Sequence, residues 1–560
     1  MEATLARIVQ AQVVIATAGL VSRIQNLETE RDSQKLELGK QGQQLGKQGQ
    51  ELEYLKPAKE NCMDVIPLSK FPGPKLAALT LWYEFYYDVV KRGRYTWRIG
   101  EMHEKYGPIV RINPYELHIN DPDYYDEIYT GPTKPRDKWA WSAAMFGNSS
   151  SHFGNSLSHF GAISHSQHRM LRAPLNPFFS KRSVMKLEPM ITSKVQKLCE
   201  RLQAFRDTRE PVNLRYAFAA YIMDVVTEYA FGTSYECLEA PDFAPIWADA
   251  VDSVSEQSHM NKQFPWLLPI MRLMPLWLVE RTSPHVMRLI NFQIVRSGRH
   301  LCLRFSELTA FQDLSKQVSA IMGGKGVENT DNPSIFQHLL QTDELPGEYK
   351  TLHHLVDEGQ SVVAAAQVTT THYFNTTAYH IIANPPILAK LKHELQDAMP
   401  DGSLASWQKL EQLPYLNAVV NEGYRISYGP SHRLQRVSPY EPLIYHEYTI
   451  PPGTPVGMTN IFTHENPKYF PEPKVFRPER WLNKDSRDRL EKYLVNFCRG
   501  TRGCLGQHLA QAEILLGRAA VFLRFDFELY ETTREDIDAA HDFFNPQPRK
   551  GSVGLRVIVN

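Results

Sequence analysis

The chain has 560 residues, with 62 Lys and Arg against 62 Asp and Glu, a balance that excludes nucleic-acid binding driven by bulk charge. Hydrophobic residues at 42% and charged residues at 22% suffice for a sizeable buried core, which excludes both a wholly disordered chain and a polytopic membrane protein. The six cysteines (Cys62, Cys199, Cys237, Cys302, Cys498 and Cys504) are too sparse for a disulfide scaffold and form no CxxC pair suggesting zinc, so a reducing compartment is expected.

Ile8 to Leu20 is the most apolar stretch near the amino terminus, but Gln10 and Gln12 interrupt it, and crossing a bilayer takes about 20 apolar residues. It is read as at most an interfacial anchor. The single early Arg7 and the lack of a small-residue cleavage site also make it a poor secretory signal. Two near-identical heptads follow, starting at Leu38 and Leu45. They align Leu38, Leu45 and Leu52 on one seam, yet Gly39, Gly42, Gly46 and Gly49 each cost about 1 kcal/mol relative to alanine in a helix. A solvated polar linker is the expectation, a weak coiled coil the alternative. Residues 1–64 are taken as an atypical amino-terminal segment and residues 65–560 as the folded domain.

That domain opens with Pro67-Leu-Ser-Lys-Phe-Pro-Gly-Pro-Lys75, an extended, turning lead-in. Helical periodicity follows at Thr80–Tyr106, Arg182–Phe205, Tyr216–Phe231, Pro284–Ser315, Thr351–Ala383 and Pro386–Met399, with short strand-like runs at Ile109–Ile112, Leu443–Ile450 and Val553–Val559. The fold class is therefore mainly α with a small β-rich subdomain. Between Met145 and Gly161 a Gly/Ser/Asn-rich heptad occurs twice, ending in Phe153 and Phe160, and reads as a loop.

The sharpest signal is Phe497-Cys-Arg-Gly500-Thr-Arg502-Gly-Cys504-Leu-Gly506, followed by a helical pattern from Gln507 to Phe525. A cysteine where a glycine-rich loop becomes a helix meets the positive end of the helix, which is expected to lower its thiol pKa. Gly500 and Gly506 allow tight turning and close approach by a large flat partner. Arg502 offers a forked donor for a carboxylate, and Phe497 a flat packing surface. These features together describe an axial thiolate to haem iron, with an arginine for a haem propionate. Cys498 is off the ligand position and is expected to be inert.

The window resembles the haem signature of the cytochrome P450 family, Phe-x-x-Gly-x-Arg-x-Cys-x-Gly, with all five specified residues present. The resemblance continues upstream in Glu422-Gly-Tyr-Arg425 and Phe476-Arg-Pro-Glu-Arg480-Trp. It implies that Glu422, Arg425 and Arg480 form a buried ionic cluster that locks the loop before the ligand. It further implies that Arg436 and Arg172 are propionate partners. His168 stands where the family commonly has tryptophan, and as a donor to a carboxylate its charge would vary near neutral pH.

The same resemblance places Ala365-Ala-Gln-Val-Thr369-Thr in the register of the distal oxygen-activation motif, with Thr369 as the threonine that helps bring protons to bound dioxygen. Ala366 and Val368 depart from it, replacing the usual glycine and acid, and Val368 removes the carboxylate that commonly assists the relay. The β-branched run Val368–Thr371 is expected to weaken the helix locally.

What the resemblance implies is a haem-thiolate monooxygenase, most like filamentous-fungal members in secondary-metabolite pathways. Its cofactor is haem b, its oxidant is dioxygen, and its substrate is an apolar small molecule. Only roughly 55 residues follow the haem signature, too few for a fused reductase, so a separate NADPH-cytochrome P450 reductase supplies the electrons. By the same resemblance the protein associates with the cytosolic face of the endoplasmic reticulum membrane, although polar heptads occupy the place of the usual anchor. Two alternatives stay open on the residues alone: a haem-thiolate isomerase, dehydratase or coupling enzyme without oxygen insertion, favoured by Val368, and a non-catalytic haem-binding protein.

Overall fold

The chain's apolar runs are long enough to bury helices on more than one side, and the computed structural model is built on that packing. It describes residues 68–146, 157–266, 317–323 and 334–560. The helix expected at Pro284–Ser315, the amino-terminal apolar stretch, the heptads and most of the Gly/Ser duplication lie outside the described residues. All described residues belong to one compact unit, Ile66–Asn560.

In chain order, the helices that position the site are α1 (Tyr95–Tyr106), α2 (His165–Arg172), α3 (Leu214–Phe231), α4 (Pro245–Gln263), α5 (Leu352–Ile382), α6 (Pro414–Ser427) and α7 (Gln507–Arg524). The strands are β1 (Ile109–Arg111), β2 (Leu117–Ile119), β3 (Asp137–Lys138), β4 (Arg436–Val437), β5 (Leu443–Tyr445), β6 (Tyr448–Ile450), β7 (Pro455–Gly457), β8 (His541–Phe543) and β9 (Asn545–Gln547).

α5, with 31 residues, is roughly 46 Å long and forms the axis of the core. α3 runs along it with 14 of its 18 residues buried, and Phe218 stacks on Phe374 at 4.7 Å. α6 crosses close by, because Gly423 removes the side chain that would otherwise meet Thr377 Cγ2 at 2.5 Å and the Tyr373 hydroxyl at 2.7 Å. α5 is helical straight through Val368–Thr371, so burial of Thr370 and Thr371 against neighbouring helices outweighs the expected β-branched weakening.

A five-stranded sheet has the order β1-β2-β7-β4-β3, with β2 and β7 parallel and the other pairs antiparallel. Its β3–β4 register sets Lys138 opposite Arg436. A separate three-stranded sheet joins Val212–Asn213, Arg556–Val559 and Phe527–Leu529, so the strand expected at Val553–Val559 is shorter at its start.

Several expected elements are divided. Thr80–Tyr106 becomes a helical turn at Trp82–Phe85, a π-helical turn at Tyr86–Val90, and α1 after a break. Arg92 and Gly93 turn through positive φ there (57° and 64°), and the Gly93 carbonyl accepts from the Asp542 amide of β8 at 2.8 Å. Periodicity could not show this, since the break serves a hairpin more than 400 residues away. Leu443–Ile450 is a hairpin, β5–β6, turned at His446 with φ 48°. Arg182–Phe205 divides into Lys181–Met185 and Glu188–Thr208, with Pro189 in the first turn of the second helix.

Candidate haem site

The loop before α7 is held from both ends. The Cys504 amide donates to the Phe497 carbonyl at 2.8 Å, and Arg502 donates to the carbonyls of Ala162 (2.8 Å), Ile163 (2.7 Å) and Ser164 (3.2 Å). Gly500 has φ 71°, and a Cβ there would overlap the carbonyl oxygens of Tyr129 and Thr130. Its glycine is therefore required by a protein contact, not by approach to a flat partner as the sequence suggested. Gly506 faces open space, and it is this glycine that leaves room beside the cysteine. Phe497 meets Tyr424 edge-on at 5.0 Å.

Cys504 has accessible surface despite lying deep in the fold. Burial pushes its thiol up, while the Gly506 amide and Arg172 pull it back by less. The helix terminus therefore does not lower this thiol on its own, because the desolvation penalty is larger. A cation against the sulfur, such as a bound metal, is what would fix the thiolate.

Around Arg502 the structure gathers three further cations, with Asp137 as the anion close enough to act on it. Lys138 and Arg436 are neighbours across β3–β4. Arg436 donates to the carbonyls of Leu434 (3.0 Å) and Gln435 (3.1 Å) and lies 5.2 Å over the Tyr129 ring. Lys138 donates to the Phe160 carbonyl and lies 3.9 Å over the Phe160 ring. Burial and Arg436 push Arg502 down to about 9, and burial, Arg502 and Arg436 push Lys138 well below its usual range. Arg172 donates to the Gly503 carbonyl at 2.6 Å and to Asn176 at 3.1 Å. Among the described residues none of these four cations pairs with a carboxylate.

His168 is buried, and burial with Arg502, His159, Arg172 and Lys138 pushes its pKa far down. It is therefore a neutral donor or acceptor, in place of the near-neutral titration expected from sequence. Its Nδ1 and the Nε of Arg502 are both buried without a hydrogen-bond partner. Unpaired buried cations and orphaned donors are costly unless an anion joins them, so the cluster suits a ligand with two carboxylates, as haem has. Lys138 carries no sequence motif and was missed; only the β3–β4 pairing reveals it.

This suggests a variant with opposite effects on two states. Lys138→Met is expected to raise the melting temperature of the apoprotein and to weaken haem retention about tenfold or more, the value of a hydrogen bond to a charged group. Thermal scans of apoprotein and a haem titration followed at the Soret band would check it. Unchanged haem affinity would count against Lys138 as an anion partner.

The segment 157–164 bridges this cluster to α5. The Ser158 and Ser361 hydroxyls are 2.8 Å apart, and the Leu157 and His159 amides donate to Asp357 (3.2 Å) and Glu358 (2.9 Å). One turn beyond Ser361, α5 becomes accessible at Ala364–Ala366 and again at Val368–Thr369. Thr369 donates back to the Ala365 carbonyl at 2.9 Å. Gln367 is buried, and its Oε1 lacks a partner, so it can hold a water.

Glu422 sits under the site. Its Oε1 accepts from Arg425 Nη2 (2.7 Å) and the Arg477 amide (2.9 Å), its Oε2 from Arg425 Nε (3.0 Å) and Trp481 Nε1 (2.9 Å). Arg480 Nε lies 3.0 Å from Oε2. The structure thus brings Glu422, Arg425 and Arg480 together and adds Trp481 and the Arg477 amide, which sequence reasoning did not include.

The cytochrome P450 family model matches residues 74–552. The chain is 43% identical over 497 residues to the tryptophan 6-hydroxylase of Fusarium equiseti, covering 88% of this chain and 92% of that one. It is 44% identical over 498 residues to a cytochrome P450 monooxygenase of Ascocoryne sarcoides, covering 88% and 94%. With the N-acetyltryptophan 6-hydroxylase of Emericella nidulans it shares 42% identity over 496 residues, 88% of this chain and 92% of the relative. The chain belongs to the cytochrome P450 family, and its cofactor is haem b. Within that family it is a monooxygenase of the kind that acts in fungal secondary metabolism, taking dioxygen and electrons from a redox partner.

Proposed function

We propose that Cys504 would hold the haem iron through its thiolate, that Arg502, Arg436, Lys138 and His168 would hold the propionates with Arg172 beside them, and that Thr369 handles protons at the accessible stretch of α5. The observation that carries this is the short segment 157–164. It joins accessible α5, through Ser158 and Ser361, to the unpaired cations beside Cys504, through the Arg502 bonds to Ala162, Ile163 and Ser164. Haem, when bound, supplies the oxygen-activating chemistry, which a thiolate ligand favours by donating electron density. The chain's own part is to hold a substrate against α5, exclude water and position protons at Thr369 and at water on Gln367. Val368 offers no carboxylate there, so proton delivery rests on Thr369 and that water without the usual acid.

Turnover with purified NADPH-cytochrome P450 reductase under ¹⁸O-labelled dioxygen, in the parent and in Thr369→Ala, tests these roles. One labelled oxygen atom in the parent product, with turnover falling in the variant, is the expected result; undiminished coupled turnover in Thr369→Ala would overturn the role given to Thr369. Two of the three relatives are named for 6-hydroxylation of tryptophan or N-acetyltryptophan, which supports a substrate with an aromatic ring.

For the reductase we propose the open cleft of about 580 Å³ beside Cys504, rimmed by Arg172 and Arg499. For the membrane surface we propose the apolar patch Leu76, Leu79, Trp82, Tyr86, Val90 and Trp266, all exposed. Phe264 ties its two halves together, 6.0 Å from Trp82 and 5.6 Å from Trp266. Among the described residues no helix is long and apolar enough to cross a membrane. An attachment of this patch to the cytosolic face of the endoplasmic reticulum is the reading that goes with it.

A further inference from the structure

We propose that the cavity of about 290 Å³ between α1, α5 and the end of α6 is a second small-molecule site, and that its ligand is a neutral, largely apolar molecule of indole size that donates one hydrogen bond to His372. The site stands apart from the haem reading. It shares no lining residue with the cleft beside Cys504, and Thr369 is not among its walls.

The walls come from distant parts of the chain and are apolar. Trp97 comes from α1, Ile426 from the last turn of α6, Ile461 from the short helix Asn460–His464, and Ile537 and Ala539 from the segment 534–539. The three isoleucines are buried, so an apolar body placed between them leaves water for a hydrophobic lining. The volume sits at the lower end of the roughly 300–1,000 Å³ typical of ligand sites, which suits a bicyclic molecule. One wall is also fixed in advance. Tyr428, which closes α6 with φ 63°, has its hydroxyl on Glu465 at 2.5 Å and its carbonyl on Asn460 Nδ2 at 3.2 Å. A residue with a Cβ held in that left-handed conformation at both ends keeps its place without a ligand, which lowers the cost of binding one.

The polar lining decides the chemistry. Its charged side chains are matched to one another: Lys474 pairs with Glu465, and Arg534 Nε with Asp538 Oδ2 at 2.9 Å. A charged ligand would have to break one of these pairs, so a neutral one is favoured. α5 contributes His372 and Thr376, one turn apart. Burial pushes His372 down to about 4, so its ring is neutral, with one nitrogen a donor and the other an acceptor. The donor is spent on the Ser427 carbonyl. His372 Nε2 lies 3.5 Å from the Thr376 hydroxyl, at the outer limit of a hydrogen bond, and the ring keeps accessible surface. What the ring offers the cavity is therefore an acceptor that the protein itself barely fills. Indole is a simple molecule with the matching planar body and N–H donor, and 1-methylindole has the same body without the donor.

The test uses full-length haem-loaded protein dialysed to equilibrium against radiolabelled indole or 1-methylindole, with the Soret spectrum of each sample recorded. Indole is expected to saturate a site without moving the Soret band, and to bind there about fivefold to tenfold more tightly than 1-methylindole, the value of one hydrogen bond. His372→Leu should weaken indole by the same factor and leave 1-methylindole nearly unchanged, whereas His372→Gln, which keeps an acceptor, should restore most of the indole affinity. Ala539→Leu, which narrows the cavity from a half-buried position, should weaken both ligands. No saturable binding, binding only in step with a Soret shift, equal binding of the two indoles, or undiminished indole binding in His372→Leu and Ala539→Leu would each overturn the proposal. Dialysis reads occupancy whether or not Cys504 holds the iron, so the carbon monoxide spectrum of the same samples tests the haem-thiolate reading separately.

Discussion

Reduced and exposed to carbon monoxide, Cys504→Ala is expected to lack the strongly red-shifted Soret band of the parent and to have no monooxygenase turnover, whereas Cys498→Ala should keep both. The two cysteines share a loop but not a setting. Cys498 is half-buried with φ 55° and its sulfur is 3.5 Å from the Tyr125 hydroxyl, a contact within the small core around β1, β2 and β7. Cys504 keeps accessible surface and lies beside Arg172, which in turn neighbours Arg502. Because burial raises the Cys504 thiol, its thiolate depends on a bound metal, and alanine removes the one donor able to push electron density onto it. A surviving band in Cys504→Ala, or its loss in Cys498→Ala, would assign the ligand elsewhere.

The contrast between these cysteines shows what kind of information the sequence holds. The haem loop is legible because five positions fall within one ten-residue window, where spacing alone fixes their relation. The Glu422 and Arg425 pair is legible for the same reason, one helical turn apart. Lys138 is not, because its role comes from pairing with Arg436 across two strands of two residues each. Neither is Asp542, whose meaning lies in bonds to Thr96, Ser431 and His432 from distant parts of the chain.

Local rules also misled where tertiary contacts opposed them. The break at Arg92–Gly93 sits inside a good helical period but is required by β8, and the β-branched run in α5 stays helical under the packing of α3. The thiol pKa went the same way: the helix-end effect is real, but at a buried sulfur desolvation is larger.

Glu422→Gln should lower stability by about 3–5 kcal/mol, the cost of leaving buried charge uncompensated, and should leave most of the protein without haem. Glutamine preserves the shape but not the charge, so Arg425 and Arg480, both enclosed, lose their anion. The disturbance has a route to the haem loop. Arg425 also donates to the carbonyls of Pro473 (2.7 Å), His464 (3.2 Å) and Val475 (3.2 Å). His464, pushed down to about 3 by burial and Arg425, is neutral; its Nδ1–H donates to the Arg425 carbonyl at 2.9 Å and its Nε2 accepts the Val495 amide at 2.9 Å. Val495 is two residues before Phe497, so a shift of Arg425 is transmitted to the segment that carries the haem signature. The half-buried Glu479, paired with Lys390 and accepting from the Tyr415 hydroxyl, is the control, and Glu479→Gln should cost no more than about 1 kcal/mol. The sign of the pH dependence is a second check. Burial raises the Glu422 carboxyl, but Arg425 and Arg480 outweigh it and hold it below its ordinary value of 4.5. Its stabilisation is therefore complete above 4.5 and lost as pH falls through the lower folded value. Urea midpoints measured from neutral pH downward should consequently converge for parent and Glu422→Gln in strong acid, whereas a gap unchanged by pH would mean that the glutamate acts through packing and not through its charge.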